Sequence, residues 1–255
     1  TVDDFGPQGR APSHPELLDW LASEFVENGW SVKTAIRQIV LSQTYQQSSV
    51  AHPSLDSSRI AAIDPNNVLM HRMPVRRLQA EAIRDALLSV SGRLNPELYG
   101  PSIATHRTAF MSGRGGRRSG PLDGNGRRSI YLSIYRNFLS PFMLTFDMPG
   151  PFGPKGRRSN SNVPAQALVM LNDPFVIEQS KVWAQAELGD FSLDSKSRII
   201  AMYEQALSVH PSDATVEMLE NFLKAQIQEH GGETEKAWAD LAHALFNTKD
   251  FVFLR

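Results

Sequence analysis

Apolar residues recur at helical spacing along most of the chain. Leu17, Leu18, Leu21, Phe25 and Val26 form one stripe, and Val32, Ala35, Ile36, Ile39 and Val40 form a second. Ser13 and Glu16 have the spacing of a capping box before the first stripe. Gly29 is a natural stop, and Ser31 can cap the second stripe, so the pattern predicts a helix pair joined by a short turn. Residues 46–63 read as loop, and Asp64-Pro65 reads as a cap with proline at the first helical position. From Pro74 a further helix is expected, with Val75, Leu78, Ala82, Ile83, Ala86, Leu87 and Val90 on its apolar face and Gly92 beyond its end. Arg72, Arg76, Arg77 and Arg84 are interspersed through that region.

The pattern changes at about residue 100. Residues 100–128 are rich in Gly, Ser and Arg, without periodicity, and read as a long loop-rich insertion. SIYLSIY at 129–135 is β-branched and aromatic and predicts a strand. Ser140-Pro141 caps a short apolar helix, FMLTF, and MPGPFGPKG cannot be helical. Pro164 opens a helix that Asn172-Asp173-Pro174 breaks, while Asp173 caps the next. Three more helices fit 194–208, 212–230 and 233–247, and the apolar tail Phe251–Leu254 is expected to dock on the core. The fold class is mainly α: a multi-helix domain of amphipathic helix pairs over residues 1–255, with one or two short strands. Trp20 and Trp238 fall on apolar faces and are expected in the core, Trp30 is placed to staple the first two helices, and Tyr99, Tyr131 and Tyr135 are candidates for an exposed aromatic surface.

Composition narrows the function classes. The chain has 255 residues, 26 Lys plus Arg against 27 Asp plus Glu, and no cysteine. A near-neutral balance argues against a global nucleic-acid binder. Without cysteine, disulfides, thiolate metal sites, a cysteine nucleophile and covalent haem attachment are excluded within this chain. No apolar run is long enough to span a membrane. The opening TVDDFGPQGR has no leader pattern and reads as the start of a piece cut from something longer.

No catalytic motif stands out. GxSxG, HExxH, a Walker loop and a dinucleotide fingerprint are absent, and the seven histidines, among them His14, His71 and His243, read as structural. Asp3-Asp4 lacks EF-hand spacing and reads as a solvated turn rather than a calcium site. GRGGRRSG is a weak phosphate loop, lacking the following Lys-Ser or Lys-Thr. The informative set is the arginines. Arg127, Arg128 and Arg136 flank SIYLSIY, and Arg157 and Arg158 precede the Pro164 helix beside Asn160 and Asn162. Guanidinium forks and a helix N-terminus together suit an anionic group, such as that of an anionic polysaccharide. The plainer alternative is that these arginines pair with the chain's own carboxylates, Asp147 and Asp173 included. Those two aspartates sit in Pro-containing turns and would be an acid–base pair only if the fold set them at suitable separation; Asp173 already has work as a cap.

DDFGPQGRAPSHPELLDWLASEF, GWSVKTAIRQIVLSQTYQQSS and DPNNVLMHRMPVRRLQAEAIRDALL, followed by RRSIYLSIYRN, FDMPGP, SNVPAQALVMLNDPFV and AWADLAHALFNTKDFVFLR, resemble the C-terminal domain of the planctomycete cytochrome-c-type secreted proteins. The resemblance runs over nearly the whole chain. It implies an exported parent, periplasmic or extracellular, in which this domain follows another uncharacterised domain. It further implies a haem elsewhere in the parent, and none bound covalently here. It implies no known reaction and no catalytic residues. Two readings follow: a non-catalytic interaction domain packing against the preceding domains, or a module that binds or processes anionic polysaccharide through the arginine loops.

Overall fold

A computed structural model describes residues 6–50, 56–108, 111, 119–153, 155–189 and 192–254. Asp3-Asp4 and most of GRGGRRSG lie outside these. The architecture is mainly α, with eleven α-helices among the described residues and a single two-stranded sheet. The chain divides into two compact units, one of residues 1–76 and 254–255, the other of residues 77–253.

The first unit holds α1 (Pro15–Glu27), α2 (Val32–Val40) and α3 (Ser57–Ile63). Gly29 and Trp30 both take positive φ, at 67° and 60°, and turn the chain between α1 and α2 within a few residues. The Trp30 ring meets Phe25 edge-on at 5.4 Å, and Gln38 Nε2 donates to Glu24 Oε2 at 3.1 Å, so the two helices are held at one end. Ser31 Oγ accepts from the Thr34 amide and caps α2 as its sequence foretells. The capping box of α1 does not form: Ser13 Oγ bonds the His14 ring instead, and His14 stands at N-cap. Trp20 is 51% exposed rather than core. Residues 46–63 are not all loop, because Asp56 caps α3 through the amide of Ser58. After it the expected Asp64-Pro65 helix is absent. Asp64 turns its carboxylate onto the amides of Val68 and Leu69, and Asn67 and Met70 adopt positive φ, which a helix does not tolerate.

The second unit holds α4 (Ala80–Val90), α5 (Pro141–Thr145), α6 (Pro164–Asn172), α7 (Pro174–Leu188), α8 (Ser195–Leu207), α9 (Asp213–Glu229), α10 (Thr234–Phe246) and α11 (Lys249–Val252). Strands β1 (Arg76–Arg77) and β2 (Phe253–Leu254) are two residues each. The helix expected from Pro74 starts only at Ala80, because the preceding segment is extended and the Leu78 amide donates to the Val252 carbonyl. α7 and α10 face each other at the centre. Trp183 stacks on Phe246 with centroids 5.0 Å apart, and Phe246 in turn meets Phe251 of the tail at 5.0 Å. Trp238, Leu241 and Leu245 of α10 are buried with Ile83 and Leu87 of α4 and Ile199 and Met202 of α8. Polar pins fix the register: Gln205 Nε2 donates to the Val90 carbonyl, Ser91 Oγ to Gln179 Oε1, and His243 Nε2 to the Met170 carbonyl.

SIYLSIY is not a strand. Ser129 donates its amide and hydroxyl to Asp85 of α4, which winds Ser129–Tyr131 into one 3-10 turn. Two isolated bridges follow among the described residues, Ile103 with Leu132 in parallel and Tyr135 with Phe138 antiparallel. A β-rich composition here lacks a neighbouring strand to pair with among the described residues.

Candidate functional site

Asp147 organises the first of the polar clusters in the second unit. It ends the turn after α5 at φ 62°, an uncommon conformation for a residue other than glycine. Its Oδ2 accepts from Arg77 Nη2 at 2.5 Å and from the Ser161 amide at 2.7 Å, and Ser161 Oγ adds a bond to Oδ1 at 2.9 Å. Arg77, 8% exposed, also donates through Nε to Asn160 Oδ1 and lies over the Phe146 ring. Gln166 of α6 completes the tie by donating Nε2 to the Thr145 and Ser161 carbonyls. The asparagine-serine stretch before Pro164 is therefore engaged in holding its own loop.

Burial pushes the Asp147 carboxyl upward, but the Ser161 bonds and the charges of Arg77 and Lys155 outweigh it and hold it below its ordinary value. A depressed carboxyl contributes stability above its unfolded value of 3.8 and loses it as pH falls through the folded one. Asp147→Asn retains the left-handed backbone that asparagine accepts but removes the charge. Urea midpoints measured from about pH 5 to pH 2 should fall more steeply for the native chain than for this variant.

Several of the proposed anion-binding arginines are engaged by partners within the chain. Arg127 is buried, donates to Glu97 at 3.3 Å and to the Tyr99 carbonyl, and lies over Tyr131 at 4.1 Å. Arg158 pairs with Glu81 at 2.6 Å, and Arg128 stands 3.8 Å from Asp85. Arg136, Arg157 and Asn162 are exposed and make no ion pair or side-chain hydrogen bond with another described residue. Of the aromatic candidates, Tyr99 is exposed, whereas Tyr131 lies under Arg127 and accepts from the Tyr99 amide through its hydroxyl.

Arg84, on the apolar face of α4, anchors a second polar cluster that no local motif announces. It is buried, donating Nη2 to the Asp123 carbonyl at 2.6 Å and Nη1 to the Arg127 carbonyl at 2.9 Å and Ser129 Oγ at 3.2 Å. Desolvation lowers its pKa, and Asp85 and Asp123 partly restore it. Its position four residues after Ala80 and three before Leu87 puts it on the apolar face of α4, a signal readable from the periodicity.

Asp173 stands in different surroundings. It caps α7 by accepting the Phe175 amide at 2.9 Å through Oδ1. It also lines a cavity of about 140 Å³ together with Arg84, His106, Thr108, Ser140, Phe142 and Phe175, among others. Burial raises the Asp173 carboxyl, opposed by the Phe175 amide and by His106. His106 Nδ1 lies 3.1 Å from the Gly120 carbonyl; a carbonyl only accepts, so in the neutral ring Nδ1 carries the proton and Nε2 keeps its lone pair. Asp147 is not among the lining residues, and the two aspartates share no partner.

Among the described residues no group of three metal-ligating side chains clusters, and no helix is long and apolar enough to cross a membrane. The helical architecture and this loop-bound polar core belong to a chain that matches the PSD1 model, a protein of unknown function (DUF1553), over residues 1–223. The chain is a member of that family. No curated protein and no solved structure matches it.

Proposed function

We propose that the chain is a non-catalytic interaction domain of an exported, multidomain, cytochrome-c-like parent, and that α1 and α2 are its docking face toward the preceding domains. One observation carries this reading: neither helix contains a buried residue, although both are patterned as amphipathic. Leu18, Trp20, Val26, Val32 and Ile36 are all exposed, and Trp30 is 68% exposed. So many large apolar side chains left exposed on one helix pair are uncommon where nothing covers them. The exported setting and the identity of the preceding domains rest on the resemblance of the sequence to the planctomycete proteins.

The alternative, an arginine-lined site for anionic polysaccharide, has weaker support. Arg127 and Arg158 are consumed by partners within the chain, which leaves Arg136 and Arg157 as open cations.

Amide hydrogen exchange compares the two settings directly. Residues 15–41 should exchange fast in the 1–255 chain and at least tenfold more slowly in the intact parent, because docking removes the openings that permit exchange. Equal exchange in both would remove the basis for docking. Slow exchange that depends on the concentration of the 1–255 chain would instead assign the face to self-association. In the same chain, Leu18→Lys with Ile36→Lys should change stability by no more than about 0.5 kcal/mol, since neither side chain is in a core.

A further inference from the structure

We propose that the cavity between the start of α7 and the residues around His106 is a binding site for a small primary alkylammonium ion. This goes beyond the docking reading and does not depend on it. The argument starts from the hydrogen-bonding capacity left over in the cavity. Asp173 uses Oδ1 on the Phe175 amide, and its Oδ2 has no hydrogen bond or ion pair among the described residues. His106 Nδ1 donates to the Gly120 carbonyl, and its Nε2 makes no hydrogen bond with another described residue. Ser140 Oγ accepts from the Met143 amide, and the Thr108 hydroxyl makes no hydrogen bond with another described residue. The one atom there whose role is fixed is the second carboxylate oxygen of Asp173, an acceptor that no donor among the described residues meets.

Arg84 lines the same cavity but makes no bond to Asp173: Nη1 donates to the Arg127 carbonyl and Ser129 Oγ, Nη2 to the Asp123 carbonyl, and Asp85 lies 3.5 Å from the guanidinium. A ligand ammonium brings three donors and one positive charge to a carboxylate in surroundings that disfavour leaving it ionised alone. The remaining walls are apolar, from Leu122, Leu132, Phe142, Met143 and Phe175, and suit a short hydrocarbon stem. The volume is close to the roughly 150 Å³ that accommodates a benzene ring in an apolar protein cavity, which limits the buried part of the ligand to about half a dozen heavy atoms. An anion is disfavoured, since it would face the Asp173 carboxylate.

Three probes of one shape and different charge test this on the 1–255 chain: n-butylammonium, n-butanol and n-butyrate, each titrated by calorimetry and by amide NMR shifts. Butylammonium should bind about tenfold more tightly than butanol, the effect of one charge-assisted hydrogen bond. Butyrate should not bind. The shifts should centre on His106, Phe142 and Asp173. In Asp173→Asn the amide oxygen still caps α7, so the fold should hold while the preference for ammonium over alcohol disappears. Equal affinity for butanol and butylammonium, a preference for butyrate, shifts centred elsewhere, or no binding at all would each overturn the proposal. The comparison of probes on the native chain decides the matter even if the variant does not fold.

Discussion

Arg84→Ala should destabilise the second unit by about 3–5 kcal/mol, among the largest effects of any single side chain in it. The guanidinium is 5% exposed and carries hydrogen bonds to two carbonyls and a hydroxyl of the 123–129 segment. Its removal takes their donor from those largely buried carbonyls, takes one charge partner from Asp85, and opens a gap beside Phe175, whose ring the guanidinium covers at 5.5 Å. The loop cannot close in to fill the gap cheaply. Gly124 sits at φ 62°, already so near that a Cβ there would lie 2.7 Å from Arg84 Nη2. Arg84→Lys should recover only part of the loss, because a compact ammonium cannot span three acceptors laid out for a planar fork. Urea unfolding followed by tryptophan emission measures both variants. Trp183 and Trp238 are buried in this unit, whereas Trp20 and Trp30 are exposed in the other, so the shielded emission reports the second unit selectively. A loss under about 1 kcal/mol for the alanine variant would mean that water replaces the guanidinium and that the loop does not depend on it.

Removal of residues 224–255 should abolish cooperative unfolding of the second unit altogether. The family match ends at residue 223, inside α9, yet Trp238, Leu241, Leu245 and Phe246 lie beyond it at the centre of the core. Without α10, Trp183 loses the ring it stacks on, α7 exposes its inner face, and Met170 loses the His243 bond. Each large core side chain deleted costs about 3–5 kcal/mol, and several lost together exceed the whole stability of an ordinary domain. Far-UV circular dichroism and calorimetry of the 1–223 chain should show helix content without a heat-absorption peak. A sharp transition near that of the full chain would mean that α10 is an accessory and that the core closes without it.

How far the sequence foretold this structure depended on whether the deciding interaction was local. Ser140 and Asp173 were legible as caps because a cap is made with an amide two or three residues on. The helices at 195–207, 213–229 and 234–246 were legible from periodicity, and the tail from its run of apolar residues. SIYLSIY misled because Asp85, more than forty residues earlier, takes the bonds that a neighbouring strand would have needed to supply. The segment after Pro74 misled for the same reason, its Leu78 amide being claimed by Val252. In the candidate site, Arg127 and Arg158 stand beside loops in the sequence, but their partners Glu97 and Glu81 meet them only in three dimensions. Arg84 and Arg77 were visible as residues and invisible as anchors, since a charge on an apolar face reads as a break in the pattern until its acceptors are known. Trp20 went astray in the opposite direction: periodicity finds an apolar face but says nothing of what covers it.

The central place of α10 bears on when the chain can fold as well as on how. α4, α7 and α8 all bury side chains with a helix that follows them in sequence. During synthesis, then, the second unit has every outer helix made before the piece that seals it, and its core stays open until residues 234–252 have emerged. The first unit has no such wait, because α1 and α2 meet across a turn of a few residues.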